Sequence, residues 1–155
     1  MQIRCKRTLV WFASLLMAFF ALQANADNDA NAVHKKPFAV AHVALQISDG
    51  NPFKQTLVLN VAHNLLKHYG PDRVDVEVVA YGPGLRLLFA RNSNKARIDA
   101  LAEAGVRFSA CNNTLTNMAK KLGYTPTLNP HAVIVPGGIV RLWDLHHAGY
   151  MIDKP

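Results

Sequence analysis

Cys111 comes directly after the short run 106–110, VRFSA, and is followed by Asn112, Asn113 and Thr114. A thiol at the point where a strand hands over to a helix has a defined chemistry. The first N–H groups of a helix have no partner within it and carry partial positive charge, so they favour a thiolate over a thiol. The polar side chains that follow add hydrogen-bonding groups. The sequence therefore offers one nucleophilic sulfur, Cys111, with Asn112 and Asn113 in support. The competing reading is a small buried hydrophobe that ends the strand, and position alone does not separate the two.

Other chemistries find less support. A cysteine hydrolase needs a histidine close to the thiol. His42 falls mid-strand, His63 and His68 fall on a helix, His131 starts a strand, and His146 and His147 come late in the last helix. None follows a strand at the edge where Cys111 lies. His63 and His68 are five apart, and adjacent residues such as His146 and His147 point about 100° apart on a helix, so no metal-ligand spacing emerges. We expect neither metal nor cofactor. Gly82-Pro83-Gly84 is not a nucleotide fingerprint. Gly82 and Gly84 stand as a candidate backbone cradle beside the cysteine, with Arg86 or Arg91 for an anion, although a tight turn is the plainer account.

The elements that must position these residues alternate. FAVAHVALQIS (38–48) reads as a buried strand, and Asp49 to Pro52 as a turn into a helix that Gly70-Pro71 stops. VDVEVVAY (74–81) is a second strand, and 85–90 a short helical or irregular stretch. Ser93 caps a helix that ends at Gly105. After the third strand, 106–110, Asn112 or Asn113 caps a helix that stops at Gly123. HAVIVP (131–136) is a fourth strand, 139–149 the last helix, and 150–153 a short final strand. The β-α-β alternation predicts a parallel sheet with helices on both faces. Ligands in such sheets bind outside the carboxyl ends of the strands, which is where Cys111 falls.

The chain has 155 residues, half of them hydrophobic, and 17 Lys and Arg against 10 Asp and Glu, a formal charge of +7. That composition excludes a disordered chain, and the length suggests one domain. Two cysteines exclude a disulfide scaffold. Residues 1–7 carry Arg4, Lys6 and Arg7, residues 9–22 are apolar apart from Ser14, and Ala24-Asn25-Ala26 fits a cleavage site. This is the layout of a secretory signal peptide over 1–26, cut after Ala26, and its apolar run is short of the roughly 20 residues that span a bilayer. Residues 27–37 read as a flexible leader and 38–155 as the domain. Removal of 26 residues from 155 leaves 129, and 14 basic residues against 10 acidic ones, so the mature charge is only +4. With no basic block, nucleic acid is not an expected partner, and no membrane association is expected after cleavage. A periplasmic or secreted location follows.

The segments VVAYGPGLRLL, AGVRFSACNNTL and VIVPGGIVRLWDLHHAGYMIDKP together resemble the DsrE/DsrF-like proteins, especially their small stand-alone members, over about 38–155. The resemblance implies a three-layer α/β/α sandwich with a five-stranded, mainly parallel sheet, and association into dimers, trimers or larger rings. It also implies that Cys111, which matches the cysteine after the third strand of sulfur-relay members, carries sulfur as a persulfide between donor and acceptor proteins. The export signal departs from those cytoplasmic relays. The alternative is a non-catalytic oligomeric module that binds a ligand or partner through its strand-end loops. Assembly into a homo-oligomer is also expected from the last helix, where Ile139, Leu142, Trp143 and His146 form the stripe expected to be buried and Val140 and Leu145 fall outside it. Phe53 and Leu59 on the first helix suggest a similar excess.

Overall fold

The computed structural model describes residues 32, 33 and 35–155, with one compact unit running Val33–Pro155. The expected signal peptide over 1–26 lies outside the described residues, as does most of the expected leader. Five strands, β1 (Ala41–Ile47), β2 (Val74–Ala80), β3 (Arg107–Cys111), β4 (Ala132–Val135) and β5 (Met151–Asp153), form one sheet in the order β4-β3-β2-β1-β5. All four pairings are parallel. The connections are α1 (Pro52–Tyr69), a 3-10 helix (Gly82–Leu88), α2 (Lys95–Glu103), α3 (Asn112–Leu122) and α4 (Gly138–His147). This is the three-layer α/β/α sandwich expected from the alternating pattern.

Strand order accounts for the layers. β1 to β4 step across the sheet in sequence, and right-handed connections carry their helices to one face. There Leu59 and Leu66 of α1, the leucines of the 3-10 helix, Ile98 of α2 and Leu115 of α3 pack on Val43, Val76, Val78 and Phe108. The chain then returns from β4 at one edge to β5 beyond β1, so α4 falls on the other face, where Leu142 and Leu145 pack on Ala44, Val79 and Tyr150. The first core holds 20 buried hydrophobics and the second only 5, so burial on the α4 face supplies far less than on the other. Something besides apolar contact must hold α4 in place.

Local signals match the boundaries, with exceptions that bear on the site. Asn51 caps α1 by accepting the Phe53 N–H at 2.9 Å. α2 is capped at Asn94 rather than Ser93, because the Asn92 side chain accepts the Asn94 N–H at 2.8 Å and closes the turn one residue later. β3 runs to Cys111, which is itself the N-cap of α3, so Asn112 and Asn113 occupy the first turn instead of capping it. Lys36, in the segment read as leader, is tied down by its backbone N–H to Asp75 at 3.0 Å and its ammonium to the Pro71 and Val74 carbonyls.

The stripe expected on the last helix is displaced. Gly138, Arg141, Leu142 and Leu145 are the buried residues of α4, whereas Ile139, Trp143 and His146 face outward. The expected stripe left Arg141 out. Arg141 is the inward residue of its turn, and that rotates the helix. On α1, Leu59 is fully buried, and only Phe53 of the expected pair is exposed.

Candidate functional site

Cys111 ends β3 at the carboxyl edge of the sheet. Side-chain alternation along β3 sends Phe108 and Ala110 to the large core and Arg107, Ser109 and Cys111 to the face that α4 covers. Two helices begin there, α3 immediately after Cys111 and α4 after the turn Pro136-Gly137. The groups that favour the Cys111 thiolate are the Thr114 hydroxyl and the backbone N–H groups of Thr114, Gly138 and Asn113, although as N-cap of α3 the thiol closes no capping hydrogen bond. Burial pushes the thiol up, and these polar groups outweigh it, so Cys111 ionises below the ordinary thiol value. The charge is therefore stabilised by the N-termini of two helices at once.

Thr114 is oriented for this task. Its Oγ1 accepts the Gly82 N–H at 2.9 Å, which leaves its own proton for the sulfur. Gly82 takes φ +52, a conformation that suits glycine, and so turns its N–H toward α3. The second glycine of that loop, Gly84, is buried against the Ile47 carbonyl and Ser48 at the end of β1. Gly82 thus serves the cysteine through Thr114, and Gly84 serves close packing. Arg86 and Arg91 are exposed.

Gly138 makes the approach of α4 possible. A Cβ there would lie 2.7–2.9 Å from the Tyr81 side chain, so only glycine lets the helix start close enough for its N–H to reach Cys111. Tyr81 is held in turn by Gln46, whose amide donates to its hydroxyl. Asn113 also borders this turn, with its amide 3.6 Å from where a Gly137 Cβ would stand. Asn112 is exposed on the first turn of α3 and is not among the groups that favour the Cys111 thiolate.

Beneath the cysteine lies a buried polar network that the sequence reading did not anticipate. Glu77 accepts Arg141 Nε at 2.6 Å and Nη2 at 2.9 Å, Ser109 Oγ at 2.6 Å and Arg107 Nε at 3.1 Å. Arg107 continues to Asp75 at 2.7 Å and to the Tyr150 hydroxyl at 2.9 Å, and Tyr150 donates to Asp75 at 2.6 Å. Burial opposes ionisation of both acids, but Arg141 and Ser109 at Glu77, and Tyr150 and the Lys36 N–H at Asp75, hold both below the usual carboxylate range. Burial and the hydrogen bond it donates to Asp75 drive Tyr150 the other way, above the ordinary phenol. Two carboxylates and two guanidiniums balance. The bidentate Glu77–Arg141 clamp fixes the first turn of α4, and hence the Gly138 N–H. One signal was available: β2 is uninterruptedly apolar except for Asp75 and Glu77, two residues apart and so on one face.

His42 lies on the same face, its Nδ1 3.8 Å from Asp75 Oδ2. The other described histidines are distributed over α1, the approach to β4 and the end of α4. Among the described residues no group of three or more His, Cys, Asp or Glu side chains is placed to hold a metal ion, and no helix is long and apolar enough to cross a membrane.

Fold and site together define a five-stranded, all-parallel α/β/α protein with a stabilised cysteine thiolate at the carboxyl edge of its sheet. No family model matches the chain, and no curated protein is similar to it. Among solved structures it is similar to a protein of unknown function, MTH1491, from Methanobacterium thermoautotrophicum, with a TM-score of 0.66 and 25% identity, over 74% of this chain and 99% of the other.

Proposed function

We propose that Cys111 is a sulfur-carrying thiolate. The observation that supports this reading is the convergence of the Thr114 hydroxyl and the Thr114, Gly138 and Asn113 N–H groups on one sulfur. In the reaction, the thiolate attacks the outer sulfur of a donor R–S–SH. The new S–S bond forms as the donor's S–S bond breaks, giving Cys111–S–SH and R–S⁻. An acceptor thiolate then attacks the outer sulfur and leaves Cys111 as thiolate again. No electrons are gained or lost overall, and no metal takes part. The same donors that lower the thiol pKa also stabilise Cys111 as leaving group in the second half. The resemblance to DsrE/DsrF-like proteins points the same way. With a secretory-type N-terminus, we place this chemistry outside the cytoplasm, with donor and acceptor proteins as partners.

The test is intact mass after incubation with a sulfane-sulfur donor. A gain of one sulfur atom, abolished in Cys111→Ser, is the expected result. An unchanged mass, under conditions that load a control carrier, overturns the reading. Cys111 is only 5% exposed, which favours a second reading, an oligomeric binding module in which Cys111 merely packs. In that case Cys111 alkylates only after unfolding. We also propose that the protein assembles through Ile139, Val140 and Trp143, which stand 68%, 53% and 64% exposed on the first two turns of α4.

A further inference from the structure

A groove of about 590 Å³ runs between α1 and α2 on the outer surface of the layer opposite α4. It lies toward the end of the sheet remote from Cys111, since Pro71 and Ala104 on its lining belong to the connections that lead into β2 and β3. Its floor is apolar, formed by Leu66 of α1 and Leu101 and Ala100 of α2. Its rim is cationic. Lys67 and His63, one turn apart, border it on α1, and Arg97 faces them from α2. Arg97 is held in place by one of its N–H groups, Nη2 bonding to Asn60 Oδ1 at 2.6 Å. Among the described residues, neither Lys67 nor Arg97 is in an ion pair, whereas Lys54 and Lys95 on the same two helices each have an aspartate.

We propose that this groove binds a small amphipathic anion, an acyl chain ending in a carboxylate. The volume falls in the range of small-molecule sites, about 300–1,000 Å³, and an apolar bed with a few convergent polar groups is their usual chemistry. The cations select the sign of the head group, and the guanidinium's fork matches a carboxylate in two-point contact. The aliphatic stem of Lys67 and the small side chains of Ala100 and Ala104 leave room for the chain. The two rim cations, neither of them in an ion pair among the described residues, set this groove apart from an ordinary inter-helix crease.

The experiment uses the full-length chain and a fluorescent acyl probe, dansyl-aminoundecanoate, with displacement by decanoate, decanol and acetate. The expected result is saturable binding, displaced by decanoate and not by decanol (chain without charge) or acetate (charge without chain). Reversing the rim with Lys67→Glu and Arg97→Glu together weakens binding by at least roughly tenfold, the worth of about 1.4 kcal/mol of lost charged contact. Ala100→Trp, a substitution at an exposed position, fills the groove and abolishes binding with both cations intact. Cys111→Ser binds as the parent does, which keeps this result separate from that for the sulfur chemistry. Equal displacement by decanol, unaltered binding in the reversed-rim or the filled variant, or no saturation overturns the proposal. Circular dichroism of each variant shows that a loss of binding is not a loss of fold.

Discussion

The Thr114 hydroxyl is the bond to examine first, because it joins three elements at one atom. It accepts from Gly82 in the loop after β2 and favours the thiolate of Cys111 at the end of β3, while its own residue sits in the first turn of α3. Thr114→Val keeps the shape and removes both interactions. A hydrogen bond to a charged group is worth about 1.5–3 kcal/mol, and sulfur belongs at the lower end, so the thiolate loses roughly tenfold in population wherever it competes with the thiol. Leaving the Gly82 N–H without its acceptor adds about 1–3 kcal/mol of lost stability if no water replaces it. The assay is the rate of iodoacetamide alkylation against pH in a Cys5→Ala background, where Cys111 is the one thiol. In Thr114→Val the midpoint moves to higher pH and the acid limb falls about tenfold, whereas Thr114→Ser, which keeps the hydroxyl, follows the parent. A valine variant with an unshifted profile refutes the assignment of Thr114. The sign of the stability effect follows from linkage. A thiol that ionises more easily folded than unfolded adds stability above the unfolded pKa, lost as pH falls through the folded one. Thr114→Val therefore loses more stability at alkaline pH than at pH 6.

Other perturbations test the frame around that sulfur. Arg141→Met leaves Glu77 buried against Arg107 and Ser109, and should cost about 3–5 kcal/mol in urea unfolding. Because Glu77 is held below the usual carboxylate range, its contribution is present above the unfolded value of about 4.3 and is lost as pH falls through the folded value; Glu77→Gln should flatten acid unfolding in that window. Gly138→Ala should push α4 away from Tyr81 and raise the alkylation midpoint of Cys111, and Tyr81→Ala in the same chain should restore part of it. Light scattering at micromolar concentration should give an oligomer for the parent and a smaller species for Trp143→Glu; a parent that runs as a monomer removes the assembly proposal.

The layers and the parallel sheet were legible because they rest on patterns that span whole elements. Alternating strands and amphipathic helices joined by glycine and proline leave few parallel topologies. The position of Cys111 at the carboxyl edge of the sheet was legible too, within one residue of where the strand ends. The exceptions all involve a polar residue whose environment is set at long range. The burial of Arg141 was not legible, because nothing within its helix reveals that Glu77, 64 positions earlier, waits beneath it. The same blind spot displaced the stripe on α4, and with it the expectation that Leu145 lies outside. Asn112 and Asn113 are good caps in isolation, but β3 continues to Cys111 in register with Val135, which pushes them into the first turn. Gly82 and Gly84, read as a loop, instead open the 3-10 helix, and the Thr114 bond that gives Gly82 its role depends on how closely that helix and α3 approach.

The placement of charge under α4 bears on why this face is polar at all. Apolar residues of similar volume at Glu77 and Arg141 would, on general grounds, hold the helix at least as firmly, since a buried ion pair seldom exceeds a well-packed alternative in stability. They would not hold it as specifically. A hydrophobic contact tolerates sliding along the helix axis, whereas a guanidinium met by both oxygens of one carboxylate does not. Arg141 lies three residues after Gly138, and Ser109, which shares the same carboxylate, lies two residues before Cys111. Glu77 therefore fixes the start of α4 and the end of β3 against one another. The Gly138 N–H that bonds to sulfur is set by that reference point, so the network and the thiolate are parts of one arrangement. On this argument Glu77→Leu paired with Arg141→Leu should retain most of the stability and still raise the alkylation midpoint of Cys111. A double variant whose thiol profile is unchanged would show that packing alone positions α4.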